Sequence, residues 1–254
     1  MAAYSQLARD ARLKVLEMVH RAQTSHIASN FSVLDIATVL YENLSSDDVV
    51  VWSKGWAAAS VYYFLAKQGK ISYEDLDKFP NPPFLGLAET DVPGVLCNGG
   101  AVGHGTPIAV GMAYAKMLKG ETGTVYCIMS DGELNEGTVW ESIIFAAHHK
   151  LNNLVFLIDN NGWQAMGRTE DVLYIDAQRA FEGHGALVMT IDGHNYQEIE
   201  SALQEREFNY DKPRVIICDT AKGKGVSFFE DSLTYHYRHV SDEDYEAAKK
   251  ELYA

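Results

Sequence analysis

Two apolar runs frame the most constraining stretch of this chain. The first is Val125-Tyr126-Cys127-Ile128-Met129 and the second Leu154-Val155-Phe156-Leu157-Ile158. Uncharged runs of this length read as strands buried on both faces, the pattern of a parallel sheet. Between them, Gly137 to Leu151 has helical spacing, so the stretch is a βαβ unit. Asp131 then stands on the turn leaving the first strand, and Asp159-Asn160-Asn161 leave the carboxyl end of the second. Thirty positions separate Asp131 from Asn161, enough for one crossover. In doubly wound sheets that edge is where ligands bind. A carboxylate and an amide oxygen there, beside a helix N-terminus, suit Mg²⁺ carrying a diphosphate.

The remaining elements extend the same plan. Residues 5–23 have amphipathic helical spacing, with Leu7, Leu13, Leu16 and Val19 toward a core. Thr24 to Ser29 reads as a loop and Phe31 to Leu44 as a second helix. Val49 to Trp52 is a short strand, followed by a helix from Ala57 to Lys67. Residues 70–79 suit a short acidic surface helix, and Pro80-Asn81-Pro82-Pro83 a stiff loop. The glycines from Gly99 to Gly105 are either a plain turn or a loop whose backbone N–H groups approach a ligand. Thr106 to Leu118 is a helix with the small residues Ala109, Gly111, Ala113 and Ala115. Gln164 to Val172 reads as a loop. A strand around Leu187 to Met189 leads to the turn at Gly193-His194, where His194 is expected to be a capping or surface residue. Glu198 to Glu207 is helical, Arg214 to Thr220 is the last buried strand, and 241–251 is an acidic, exposed terminal helix. The fold class is α/β: a doubly wound, mostly parallel sheet with helices on both faces, and one domain over residues 1–254.

Composition narrows the function classes. A net charge of −14 argues against nucleic acid or an anionic membrane as partner, so an anionic ligand must be held by local groups and metal. The three cysteines, Cys97, Cys127 and Cys218, have no metal-ligand spacing and read as buried thiols of a reducing compartment. With no signal peptide and no long apolar span, the cytoplasm is the expected location.

The wording around Asp131 is more specific than the pattern. Ser130-Asp131-Gly132-Glu133-Leu134-Asn135-Glu136-Gly137, Trp140-Glu141, Ala146 to Leu151 and Asp159-Asn160-Asn161-Gly162-Trp163 resemble the thiamine diphosphate motif of the transketolase family. Ser130 stands where the family has Gly. Ser25-His26 resembles the family's "SGH", Gly103-His104-Gly105 its Gly-rich cofactor loop, Lys222-Gly223-Lys224-Gly225 its "KGKG", and Tyr235-His236-Tyr237 its "WHG". Two family histidines are absent. Trp56 occupies one position, in Ser53-Lys54-Gly55-Trp56, and Leu87 the other, in Gly86-Leu87-Ala88-Glu89.

The resemblance implies an enzyme and a site. His26, His236 and His104 would be catalytic, moving protons at the substrate oxygens. Ser130, Gly132, Glu133, Asn161, Gly103 and His104 would bind thiamine diphosphate. Asp131, Asn161 and the Trp163 backbone carbonyl would hold Mg²⁺, with Ca²⁺ or Mn²⁺ as substitutes. Glu136 belongs by analogy to a network between subunits, though a Glu at a helix N-terminus is also plain dipole complementarity. Taken alone, His26 reads as a surface residue beside a helix cap, and the lysines of 222–224 as a solvated turn; the family wording reverses the reading for His26.

The resemblance covers only the first of a full transketolase's three domains. It implies the N-terminal subunit of a split enzyme, whose partner is a C-terminal, pyrimidine-binding subunit in a heterotetramer of two plus two chains. The reaction would be transfer of a two-carbon ketol unit from a ketose-type donor to an aldehyde or keto-sugar acceptor. The family's histidines at the positions of Trp56 and Leu87 surround the diphosphate and the donor's hydroxymethyl group, so their replacement points to a specialised sugar, the alternative being that His104 or a partner residue restores the contacts and the donor is unchanged. Another thiamine diphosphate enzyme acting on pyruvate, or a non-catalytic relative that keeps the fold, are the alternatives.

Overall fold

A computed structural model describes residues 2–205 and 211–254. In chain order, the helices α1 (Ala2–Ala22), α2 (Ile27–Ser32) and α3 (Leu34–Glu42) precede β1 (Val49–Trp52) and α4 (Ala58–Lys67). After a long irregular connection come α5 (Gly105–Lys119), β2 (Val125–Ser130), α6 (Gly137–His148) and β3 (Leu154–Asn160). The short β4 (Trp163–Gln164), β5 (Gly167–Arg168), α7 (Thr169–Leu173) and α8 (Ala177–Gly183) follow. The chain closes with β6 (Leu187–Asp192), α9 (Tyr196–Gln204), β7 (Arg214–Asp219), α10 (Thr234–Tyr237) and α11 (Asp242–Tyr253).

The main sheet has the order β1-β2-β3-β7-β6, and every pairing in it is parallel. Its strands are apolar on both sides because both sides are covered. Tyr126, Ile128, Val155, Leu157, Ile216 and Cys218 point into one core with α1, α3 and α4. Their neighbours Cys127, Met129, Phe156, Ile158, Val215 and Ile217 point into the other, with α5 and α6. All three cysteines are buried free thiols.

The register decides where the chemistry collects. Trp52 pairs with Ile128, Ser130 with Asp159, and Asn160 with Asp219. Ser53, Asp131, Asn161 and Thr220 therefore leave adjacent strands at one carboxyl edge. No helix among the described residues is long and apolar enough to cross a membrane.

Several boundaries differ from those expected from sequence. The loop expected over Thr24–Ser29 already enters α2 at Ile27, and the single helix expected from Phe31 is two, breaking at Val33. Apolar periodicity runs through that break, so it does not mark it. Residues 73–78 form a 3₁₀ helix capped by Ser72. The loop expected after Trp163 is an antiparallel hairpin of β4 and β5 followed by α7. The helix expected over Glu198–Glu207 is present as α9, and its positions 206 and 207 lie outside the described residues.

Candidate functional site

A cavity of about 370 Å³ opens at the carboxyl edge of β1, β2 and β3, lined by His26, Trp56, Asn161, Lys222, His236 and Tyr237 among others. Close backbone approach shapes one wall: a Cβ on Gly55 would fall 2.0 Å from the Cα of Gly99. Both glycines line the cavity, and neither tolerates a side chain without moving the other.

The two histidines arrive from distant parts of the chain and meet there. His26 precedes α2 in the left-handed region, at φ 72°, and its N–H donates to the His236 carbonyl at 3.1 Å. The His26 ring stacks on Trp56 with centroids 4.3 Å apart and meets the His236 ring edge-on at 4.7 Å. His26 Nδ1 is bonded to Ser25 Oγ at 2.6 Å. Lys222 Nζ lies 2.7 Å from His236 Nδ1. An ammonium has only protons to give, so Nδ1 accepts and a neutral His236 carries its proton on Nε2.

The electrostatics keep both rings neutral at pH 7. Burial, then Lys222 and Lys54, push His26 down to about 4. Burial, Lys222 and His26 push His236 down to about 3. Burial and the Lys54 charge pull Lys222 down to about 8. The loop lysine that reads as a solvated turn is thus 1% exposed, with its ammonium in the cavity.

Beneath the cavity lies a buried ion pair. Lys54 binds Asp159, and the Ser32 hydroxyl donates to Asp159 Oδ2 at 2.6 Å. Thr220 Oγ1 donates to the other oxygen. Neither Lys54 nor the role of Asp159 is apparent from the motifs. Their pairing spans 105 positions, and no local pattern announces it.

Of the sequence-derived candidates, His26, His236, Ser130, Gly132, Glu133, Asn161 and Trp163 line this cavity together. Glu133 is buried, and its carboxylate is occupied by Ser53 Oγ and the Ser130 backbone N–H, closing a capping box around Asp131. Gly103 packs its backbone on the start of α6, with Glu136 Cβ 2.8 Å from where its own Cβ would be. His104 is exposed at the start of α5 and lies outside the cavity lining. Leu87 also lies outside it: half-buried, with its carbonyl accepting the Tyr62 hydroxyl at 3.3 Å. Of the two positions where family histidines are missing, only Trp56 faces the site. His194, expected to be a capping or surface residue, instead bridges Asp35 and the Ala221 N–H.

Asp131 lines an adjoining cavity of about 210 Å³ rather than the larger one. Its Oδ2 accepts the Gly162 N–H at 2.8 Å, while its buried Oδ1 has no hydrogen-bond partner. Asn161 Oδ1 accepts the Trp163 N–H at 3.1 Å. Burial and the nearby Asp159 push Asp131 up to about 7. A desolvated carboxylate oxygen without a donor is a poor end state for a fold and a good cation ligand. Among the described residues no cluster of three His, Cys, Asp or Glu side chains surrounds it, so amide, carbonyl and ligand oxygens would have to complete any coordination.

A parallel sheet with an orphaned carboxylate oxygen, an ammonium and two neutral imidazoles gathered at its carboxyl edge is the arrangement of an α/β ligand-binding domain. Residues 4–253 match the family described as transketolase, thiamine diphosphate binding domain, and the chain belongs to the transketolase family. It is 32% identical to one chain of the apulose-4-phosphate transketolase of Phocaeicola vulgatus, itself named as a subunit, over 95% of this chain and 90% of that one. It is 33% identical to a 6-deoxy-6-sulfo-D-fructose transketolase subunit of a Clostridium species, over 95% and 93% of the two chains. Against human transketolase it is 31% identical, covering 99% of this chain and 42% of that one. The crystal structure of Campylobacter jejuni transketolase superposes with a TM-score of 0.93 at 30% identity, covering 99% of this chain and 43% of that one.

Proposed function

We propose that the chain is the diphosphate-binding subunit of a two-chain, transketolase-type enzyme, and that residues 1–254 form one such domain. It transfers a two-carbon ketol unit from a ketose-type donor to an aldehyde or keto-sugar acceptor, on a sugar other than the common pentose phosphates. The observation that carries this is the convergence of His26, His236 and Lys222 on one cavity that Asn161 also lines. The two-chain arrangement is supported by relatives named as subunits, which match over 90% and 93% of their length. The partner would be a C-terminal, pyrimidine-binding subunit, in a heterotetramer of two plus two chains with two equivalent sites. A cytoplasmic location fits the small-molecule sugar substrates.

The residues present fit the cofactor. Asp131 Oδ1 is orphaned and buried, so a divalent cation there satisfies it. Mg²⁺, or Ca²⁺ or Mn²⁺ in its place, would be held by Asp131, Asn161 and the Trp163 carbonyl, and Lys222 would meet diphosphate charge. When bound, thiamine diphosphate supplies the nucleophilic carbon and electron sink that ketol transfer requires. His236, with Nδ1 occupied by Lys222, presents Nε2–H to a substrate oxygen. His26, with Nδ1 held by Ser25, has its Nε2 free to give or take a proton. As neutral imidazoles they differ: His236 can only donate, from Nε2–H, whereas His26 can donate or accept at Nε2 according to its tautomer.

Trp56 and Tyr237, 41% and 57% exposed, put aromatic surface around His26 at the cavity. An indole face packs against carbon-bound hydrogens and offers no acceptor for a hydroxyl. It therefore favours a substrate whose nearby carbon lacks one. The test is reconstitution with the partner chain, followed by single-turnover comparison of xylulose 5-phosphate, fructose 6-phosphate, hydroxypyruvate and pyruvate as donors. Preference for a donor other than xylulose 5-phosphate is expected. Efficient use of xylulose 5-phosphate with ribose 5-phosphate defeats the specialised reading. Pyruvate alone as donor identifies a different thiamine diphosphate reaction, and no turnover with any donor a non-catalytic relative.

A further inference from the structure

Asp35 on α3 is 3% exposed and lies outside the cavity lining, yet its carboxylate takes part in four hydrogen bonds with three side chains. Arg12 donates to both oxygens, at 2.9 and 2.7 Å. The Tyr196 hydroxyl donates to Oδ1 at 3.0 Å, and His194 Nδ1 lies 2.7 Å from Oδ2. Two of these partners reach onward to one loop. Arg12 Nε donates to the Lys224 carbonyl at 2.8 Å, and the Ala221 N–H donates to His194 Nε2 at 2.8 Å. A ring nitrogen that accepts an amide N–H carries no proton, so His194 is neutral and its Nδ1–H is given to Asp35. One carboxylate thereby pins the chain on both sides of Lys222. Between those pins, Gly223 sits at φ +83° and donates its N–H to the Ala28 carbonyl at 3.0 Å. A Cβ at Gly223 would lie 2.3 Å from the Phe229 carbonyl oxygen, so the loop has one way to lie.

We propose that Asp35, acting through His194 and Arg12, is a positioning residue for Lys222: it places the ammonium in the cavity and so sets the affinity for the cofactor's diphosphate. The inference rests on the cavity being the diphosphate site proposed above. The arrangement is a carboxylate–imidazole pair orienting a backbone amide, analogous to the outer partners that orient metal-bound histidines, whose loss costs about 10–100-fold in affinity. The same hydrogen bonds would also serve a merely structural role. What separates the two is whether the effect of losing them passes through Lys222.

The experiment is a double-mutant cycle on the enzyme assembled with its partner, reading the Kd of thiamine diphosphate at fixed Mg²⁺ by equilibrium dialysis. His194→Phe keeps the ring's bulk and removes both hydrogen bonds. His194→Phe and Lys222→Ala are each expected to weaken Kd about tenfold, and the double variant to be no weaker than Lys222→Ala alone. His194→Gln, which can accept the Ala221 N–H, is expected to recover most of the affinity. Multiplying effects in the double variant overturn the inference. If Lys222→Ala leaves Kd unchanged, or the unmodified enzyme binds no thiamine diphosphate, the diphosphate role of Lys222 fails. Hydrogen exchange of the 221–225 amides in the chain then decides the positioning part, and unchanged protection in His194→Phe overturns it. If His194→Phe does not fold, Tyr196→Phe removes one donor from Asp35 and runs through the same cycle. An expected twofold to fivefold loss that vanishes in the Lys222→Ala background supports the inference, and one that persists there refutes it.

Discussion

Replacing Lys54 with methionine removes the cation from an ion pair buried beneath the cavity. Lys54 is 6% exposed and Asp159 fully buried. Burial raises the Asp159 carboxyl, but the Lys54 charge and the Ser32 and Thr220 hydroxyls outweigh it and hold the group ionised. Without Lys54, two hydroxyl donors remain for a carboxylate that has no access to water. Breaking a buried pair on one side costs about 3–5 kcal/mol, because the other charge is left uncompensated. At roughly 2–4 °C per kcal/mol for a domain of this size, Tm should fall by about 6–20 °C. Thermal unfolding followed by circular dichroism reads this directly. Lys54→Met combined with Asp159→Leu is expected to recover a large part of the loss, since an apolar pair of similar volume carries no stranded charge. A Tm within about 2 °C of the unmodified chain for Lys54→Met alone would show that Asp159 is not left uncompensated and has another partner, or water.

Three further outcomes follow from the charges. Cation binding at Asp131 needs the deprotonated carboxylate, and that group sits up at about 7. Mg²⁺-dependent cofactor affinity should therefore fall about tenfold per pH unit below 7, as isothermal titration at pH 5–8 would show, while a flat profile contradicts the site. Asp35 is held below its ordinary range, with Arg12 and His194 outweighing burial. Its stabilisation is complete above the unfolded-state value of about 4 and drains away as pH falls toward the folded one. The stability gap between unmodified chain and Asp35→Asn in urea melts should be wide at pH 7 and narrower at pH 3. Finally, protonation of His26 and His236 should not limit kcat between pH 5 and 7, because both are held near or below 4. An alkaline limb near 8 is expected instead as Lys222 loses its charge, and Lys222→Arg should move that limb upward.

Local pattern is informative in some parts of this chain and silent in others. The β2–α6–β3 unit is legible because a strand buried on both faces must be apolar throughout, and nothing else in 125–158 satisfies that. Asp131 and Asn161 follow, since polar residues just past such strands sit at the sheet's ligand-binding edge. His26 and His236 stand out only through their family wording, because they are 210 positions apart and the fold alone makes them neighbours. Lys222 reads as solvated because Lys-Gly-Lys-Gly is a turn composition. Its flanking backbone is tied to Arg12 on α1 and to His194 in the turn before α9, contacts that local composition does not carry. The Lys54–Asp159 pair is invisible for the same reason. The break at Val33 leaves no mark because both helices beside it bury every residue near it, and amphipathic spacing marks only helices with a wet side.

On the proposed function, the carboxyl edge of β2 and β3 holds a diphosphate through a divalent cation on Asp131 and Asn161. Equilibrium dialysis of thiamine diphosphate against the enzyme assembled with its partner, with Mg²⁺ and with EDTA, tests it most directly. The expected result is saturable binding of one cofactor per chain that requires the metal and is lost in Asp131→Ala and Asn161→Ala, both still folded by thermal melting. Equal affinity with and without metal, or unchanged affinity in Asp131→Ala, would contradict it.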